Sequence, residues 1–361
     1  MLVKGEAGRA AFHDWHAAVA DARLALGHDK SLKQMLAFLY VALRANDVDL
    51  DPSLATYLRT AYVQERLRGK AYQDICAEVL RLLVQAAVPV LVIGGAALAQ
   101  SGYEDPLLRH ASTFDLLLAA EDLDRAAATL EAAGCARELG HTPWHLPRIR
   151  LRHGSALPIV LHAALFTLPY YADPLRDVWQ ASRHATVAGV ATRMLSIEDT
   201  LLLLCAMGSP LHVRTPPWWV CDAMRLLTLH PDLEWDTFLA RARSTRLSLP
   251  LLVSLTYLQR DLGASIPPGV LAELTHSAVR LPASSYEAAL WALQRALPLS
   301  RRELLRRTGG WHSRWIVLKW LLAPSVAALP LLPHGQRAAT GSSYYLYQGA
   351  DWMRRHLHPR S

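Results

Sequence analysis

Four consecutive apolar residues, Val90-Leu91-Val92-Ile93, run straight into two glycines, Gly94-Gly95, and this junction constrains the chain more than any other segment. The apolar run suits a buried strand, and Ala96 to Gln100 behind the glycines suits a short helix. A glycine pair between strand and helix lets backbone amides and a helix N-terminus face a phosphate. A second strand-like run follows, Thr113-Phe114-Asp115-Leu116-Leu117-Leu118, with one carboxylate among apolar neighbours. A carboxylate so placed can hold a magnesium ion against that phosphate.

Helical patterns bracket this junction. Phe12, Trp15, Val19, Ala22 and Leu26 recur at alternating three- and four-residue steps, which predicts one helix face closed by Gly27. Ser31 to Ala45 and Ser53 to Ala87 continue the pattern, with Asp51-Pro52 as a start signal. After the Asp115 strand, Glu121 to Ala133 predicts an amphipathic helix ended by Gly134. Strand-like runs at His145 to Arg152 and Leu157 to Leu165 join through Gly154-Ser155, and the second is expected beside the Asp115 strand. Val187-Ala188-Gly189-Val190 predicts a tight hairpin. Ser196-Ile197-Glu198-Asp199 has capping-box form ahead of Leu201 to Met207. Trp218 to Leu229, Trp235 to Ser244 and Pro250 to Leu262 predict further helices, and Pro267-Pro268 marks a joint before the tail. The expected class is α+β: a helical region at 1–86, a mixed-sheet core at 87–192 and a C-terminal helical domain at 193–361.

At 361 residues and 52% hydrophobic content, the chain can bury a sizeable core. Cys76, Cys135, Cys205 and Cys221 have no metal-type or redox spacing and read as small buried residues in a reducing cytoplasm. Met1 to Trp15 lacks the apolar stretch of a secretion signal. Arg81, Gln85, Pro89 and the glycine pair interrupt one long apolar run, and Lys319, Pro324 and Pro330 interrupt another, so no membrane span is expected.

Several pieces, in order, resemble the nucleotidyltransferase fold and, more narrowly, the large bacterial family of uncharacterised nucleotidyltransferases. They are Ile93-Gly94-Gly95-Ala96-Ala97-Leu98, Tyr103-Glu104-Asp105-Pro106, and Arg109 ahead of Asp115-Leu116-Leu117-Leu118. Glu121 to Ala126 and Leu130 to Gly134 continue the series, followed by Leu161-His162, Leu195 to Asp199 and Trp219-Val220-Cys221-Asp222. The resemblance spans about residues 30 to 260 and implies a nucleoside triphosphate as substrate or ligand, with Mg2+. It also implies a small-molecule or peptide acceptor in a bacterial biosynthetic setting.

The family pattern places two aspartates on alternate residues of the second strand, because side chains two apart share a face. Here those positions are Thr113 and Asp115, and the third carboxylate would fall at Val160. One of three expected ligands survives, which argues against a preorganised two-metal site. A lone Asp115 can still help hold a nucleotide-bound magnesium, and Glu104 or Asp105 is a candidate substitute ligand from the preceding loop.

Other residues carry two readings each. Arg109 is placed to neutralise a triphosphate or to form a salt bridge with Glu104 or Asp105. His162 either orients a substrate or fills a half-buried strand position. Trp219 and Asp222, one turn apart on a helix, serve base stacking and ribose contact, or core packing with a surface acid. His141 and His145 have zinc-type spacing, but Pro143 and Pro147 oppose the helix that zinc binding would need. Gly94 and Gly95 are the firmest candidates for nucleotide binding, although a glycine pair also lets a helix pack close to a strand.

The net positive charge comes almost entirely from the end of the chain. Residues 301–361 hold ten Lys or Arg against Glu303 and Asp351, a charge of +8 against +7 for the whole chain. Trp311, Trp315, Trp320, Tyr344, Tyr345, Tyr347 and Trp352 are interleaved with these cations. A solvated basic face over a helical layer accounts for this pattern. An anionic membrane surface or an acidic protein partner would also suit it, and nucleic acid fits least well. Three functions follow as expectations: nucleotidyl transfer, a non-catalytic nucleotide- or partner-binding relative (a pseudoenzyme), and a peripheral membrane role for the tail.

Overall fold

The computed structural model describes residues 5–19, 21–28, 30–138, 148–166, 174–208 and 218–280. The amino-terminal apolar spacing forms two helices where one was expected, α1 (Glu6–Ala18) and α2 (Ala22–His28). Val19 is extended, and the Asp21 carboxylate accepts hydrogen bonds from the amides of Arg23 and Leu24, so α2 starts on a cap of its own. Gly27 lies inside α2 and does not close it. Phe12, Ala22 and Leu26 still bury together, against α3 (Lys30–Ala45) and the first turns of α4 (Pro52–Gln85). Asp51 starts α4 as expected: its carboxylate accepts from the amides of Ser53 and Leu54, and Pro52 occupies the first turn, where no amide is needed.

After α4 the chain lays down β1 (Leu91–Ile93), α5 (Gly94–Gly102), β2 (Phe114–Leu117), α6 (Leu123–Ala132) and β3 (Ala136–Arg137). Then come β4 (Arg148–Arg152), β5 (Pro158–His162), α7 (Leu175–Ala181), β6 (Arg183–Val187) and β7 (Val190–Met194). Among the described residues these make a seven-stranded mixed sheet in the order β3-β4-β5-β2-β1-β7-β6. β1 runs antiparallel to β2 with Ile93 opposite Asp115, and β5 runs parallel to β2 with Val160 opposite Asp115. The hairpin β6–β7 turns at Ala188-Gly189, both at positive φ, as a two-residue turn requires. β3, the short edge strand, has no counterpart among the sequence expectations. His141 and His145 lie outside the described residues.

The alternation of side chains along each strand sorts the core into two faces. Val92, Phe114, Leu116, Ile159 and Leu161 pack with Tyr72, Cys76, Val79, Leu80 and Leu83 of α4 and with Ala126, Ala127 and Leu130 of α6. Leu91, Ile93 and Leu117 point the other way, against Val178 of α7 and Leu195. By the strand register, Asp115, Val160 and His162 lie on this second face.

The helices α8 (Ile197–Gly208), α9 (Trp218–Leu229), α10 (Trp235–Thr245), α11 (Ser248–Leu262) and α12 (Pro268–Arg280) form a separate core around Leu201, Cys205, Leu226, Phe238 and Leu255. Ser196 caps α8, its hydroxyl oxygen accepting from the Asp199 amide at 3.0 Å. Arg241 of α10 bonds both Asp199 (2.8 Å) and Asp177 of α7 (2.7 Å), tying this layer to the sheet. No described helix is long and apolar enough to cross a membrane. The basic segment 301–361 lies outside the described residues.

Candidate active site

The site forms where β1 gives way to α5. Gly94 adopts φ +64°, a region that L side chains rarely enter, and a Cβ there would lie 3.3 Å from Asp115 Oδ2. Glycine therefore keeps the turn open beside the carboxylate. Gly95 is required by packing: its Cβ would stand 2.7 Å from Ala111 Cβ and 3.3 Å from Arg109 Nη1. The first glycine faces the acid, and the second lets the loop before β2 close over the turn.

Asp115 is one-fifth exposed (20%), and both of its oxygens have protein partners. Oδ2 accepts from Thr113 Oγ1 at 2.5 Å, and Oδ1 lies 2.9 Å from His162 Nε2. Thr113, at the place of an expected aspartate, thus donates to the aspartate that remains. Val160 is buried directly opposite Asp115 and offers no donor atom. His162, two residues on, reaches the carboxylate from the same strand.

Arg109 is committed elsewhere. Its Nη2 lies 2.8 Å from Asp222 Oδ2 and its Nε 3.3 Å from Oδ1, and the Tyr103 hydroxyl donates to Oδ1 at 2.7 Å. Nη1 donates to the His110 carbonyl, and the guanidinium stacks 4.8 Å from the Trp218 ring centre. The Asp222 side chain has no exposed surface, and that of Arg109 is 12% exposed. Burial, helped by the Asp222 charge, pushes the Tyr103 phenol far above its ordinary range, so it stays a donor. Burial pulls the Arg109 pKa down, but Asp222 and Tyr103 more than offset it, and the guanidinium stays charged.

Residues 31–263 match the uncharacterised nucleotidyltransferase family. The chain belongs to that family. Its mixed sheet, with a glycine turn after β1 and the acid-bearing β2 between β1 and β5, is a nucleotidyltransferase-like fold. Solved structures similar to this chain include the lincosamide antibiotic adenylyltransferase LnuA bound to lincomycin (17% identity, 42% of this chain, 93% of that one, TM-score 0.32). They also include ANT(2″)-Ia with adenylyl-2″-tobramycin (13% identity, 58% of this chain, 98% of that one, TM-score 0.31). A third is an antigenic nucleotidyltransferase-like protein from Paracoccidioides brasiliensis (15% identity, 58% of this chain, 92% of that one, TM-score 0.33). No curated protein matches the chain.

Nucleotidyltransferases use a nucleoside triphosphate and a divalent ion, so the residues of this family member can be tested for fit. One ion carried in on a nucleotide fits: Asp115 is partly exposed beside a space that a Cβ at Gly94 would fill. A protein-held pair of ions does not, because Thr113 supplies only a hydroxyl and Val160 nothing. Among the described residues no three His, Cys, Asp or Glu side chains gather to hold a metal.

Two sequence expectations need correction, and for Trp219 the core-packing reading holds. The partner of Arg109 is Asp222, not Glu104 or Asp105. Asp105 pairs with Arg66 at 2.5 Å and accepts from the Leu107 amide at 3.1 Å, so its carboxylate caps the 106–108 turn. Trp219 packs on Tyr257, ring centres 6.0 Å apart, and crowds Gly208; the tryptophan beside Arg109 is Trp218, four residues from Asp222 on the same face of α9.

α4 also braces the loop before β2, through residues that are absent from the sequence candidates. Arg68 donates to the Ala111 carbonyl at 2.9 Å, and the Tyr72 hydroxyl donates to the Thr113 carbonyl at 3.0 Å. The Glu65 carboxylate sits 3.0 Å from His110 Nδ1. A Cβ on Gly69 would lie 3.1 Å from the Leu107 carbonyl oxygen. Glu65, Arg68, Gly69 and Tyr72 fall on one helix face, and that spacing in an otherwise apolar stripe is the signal that could have found them.

Proposed function

We propose that this chain binds a nucleoside triphosphate, with a divalent ion carried on its phosphates, at the Gly94-Gly95 turn. We further propose that it passes the nucleotidyl group to a small-molecule or peptide acceptor. The observation that carries the reading is the approach of the open Gly94 turn to Asp115, which joins a helix N-terminus for phosphate to a carboxylate for the ion. Asp115 would hold the ion, which supplies charge neutralisation on the phosphates. Thr113 keeps Asp115 aimed by its hydrogen bond. Arg109, its charge already met by Asp222, contributes a fixed wall to the turn more than a free cation. An acceptor oxygen attacks the α-phosphorus in line, the bond to the bridging oxygen breaks, pyrophosphate leaves, and the acceptor proton passes to solvent.

A non-catalytic, nucleotide- or partner-binding role is the second reading. It is favoured by Val160, which leaves one side of Asp115 without the negative charge that phosphoryl transfer uses. Calorimetric titration with each triphosphate, with and without magnesium, on wild type and Asp115→Ala tests both readings, with α-labelled nucleotide reporting transfer. Magnesium-dependent binding weakened by Asp115→Ala supports the site, and label on an acceptor then supports chemistry. Binding without transfer to any candidate acceptor supports the second reading. No binding at millimolar nucleotide sinks the nucleotide site itself.

A further inference from the structure

We infer that the ion position at Asp115 is a mixed oxygen–nitrogen site with His162 as its second protein ligand, so that the bound nucleotide carries manganese in preference to magnesium. The inference rests on the nucleotide-binding reading above.

His162 Nε2 lies 2.9 Å from Asp115 Oδ1, on the same sheet face and beside the Gly94 turn. Two neighbouring ligands at right angles on one ion, each with a bond of about 2.1 Å, stand about 3 Å apart. The pair is therefore spaced as adjacent ligands already, and an ion can take the place of the hydrogen-bonding proton once the imidazole turns its Nε2 lone pair from Oδ1 toward the ion. The strand register explains how a histidine comes to be there. Val160, opposite Asp115, is apolar and short, while His162 is opposite Leu117 and long enough to reach back along the face. Exposure agrees: the His162 side chain is 21% exposed, close to that of Asp115, so the two form one rim and not a sealed core contact.

Thr113 completes the arrangement. Its hydroxyl donates to Oδ2, leaving Oδ1 as the oxygen turned toward His162. Such an outer hydrogen bond orients a ligating carboxylate. Magnesium demands oxygen donors and loses water reluctantly, whereas an imidazole favours transition-metal ions, of which manganese shares magnesium's affinity for carboxylate and phosphate oxygen. Replacing carboxylates by one imidazole thus changes which ion the site prefers, without removing the site.

The test uses the full chain, a non-hydrolysable analogue of each nucleoside triphosphate, and MnCl2 or MgCl2 as the ion. Calorimetry is expected to show the manganese complex binding at least about tenfold more tightly than the magnesium complex, roughly 1.4 kcal/mol. Pulsed electron paramagnetic resonance of the bound manganese is expected to show coupling to an imidazole nitrogen. In His162→Gln the nitrogen coupling disappears and the two affinities converge. Equal affinities in wild type, or bound manganese without nitrogen coupling, overturn the inference while leaving nucleotide binding intact. Failure of every nucleotide to bind with either ion overturns both. The resonance measurement needs no variant, so a poorly folding His162→Gln does not blunt the test.

Discussion

Replacing Asp222 by alanine strips the buried guanidinium of Arg109 of its counter-charge. Asp222 has no exposed side-chain surface and Arg109 only 12%, so water cannot take over the lost contacts at 2.8 and 3.3 Å. Breaking a buried pair from one side costs about 3–5 kcal/mol. The Tyr103 hydroxyl loses its 2.7 Å acceptor in the same step, which adds on the order of 1 kcal/mol. The expected loss is therefore about 4–6 kcal/mol, read as a shift of the urea midpoint at unchanged slope. Removing the charge from both sides, as in Arg109→Met with Asp222→Leu, is expected to recover most of the loss, since the desolvation cost disappears with the charges. The stack of Arg109 on Trp218 and the acceptor of the Tyr103 hydroxyl are both forfeited in that double variant, and together they set the residual deficit, about 2 kcal/mol. An Asp222→Ala loss below about 1 kcal/mol would refute the burial argument. Equal losses in single and double variants would refute the charge argument.

Gly95→Ala forces a methyl against Ala111 Cβ, 2.7 Å away, and is expected to cost about 1–3 kcal/mol and to weaken nucleotide binding by calorimetry. Gly94→Ala instead strains the backbone at φ +64°, at about 1–2 kcal/mol, and is expected to destabilise the turn with the loop before β2 undisturbed, as read by amide hydrogen exchange. Glu65 gives a pH prediction. Burial raises its pKa, but hydrogen bonds from His110 and Arg68 win and hold it below the ordinary 4.5. Its contribution is thus full above pH 4.5 and is lost as pH falls through the depressed value, so Glu65→Gln should flatten the acid limb of a stability–pH curve.

What sequence could reveal follows from the range of each interaction. The strand that ends just before Gly94, the cap at Asp51 and the cap at Ser196 are written within a few residues and are found where expected. The placement of β5 beside β2 also follows the family pattern. Choices among distant partners do not. Arg109 and Asp222 are 113 residues apart, and only the packing of α9 on α5 brings them together, whereas Glu104 and Asp105 are nearer along the chain. That Trp218 and not Trp219 stands beside Arg109 is an angular matter, because one residue turns a helix by about 100° and moves a side chain to another face. The break between α1 and α2 escapes the periodicity because both helices feed the same cluster, and only the Asp21 cap marks the start of the second.

α4 has a wider consequence. Its early turns supply Leu54 and Leu58 to the amino-terminal cluster, and its later turns supply Tyr72 through Leu83 to the sheet. One unbroken rod of 34 residues, about 51 Å long, thus belongs to two cores. A transplanted cassette beginning at residue 87 would keep every strand yet leave behind Arg68 and Tyr72, which hold Ala111 and Thr113 in place. Inheritance of this site by recombination therefore has to include the helix that precedes it.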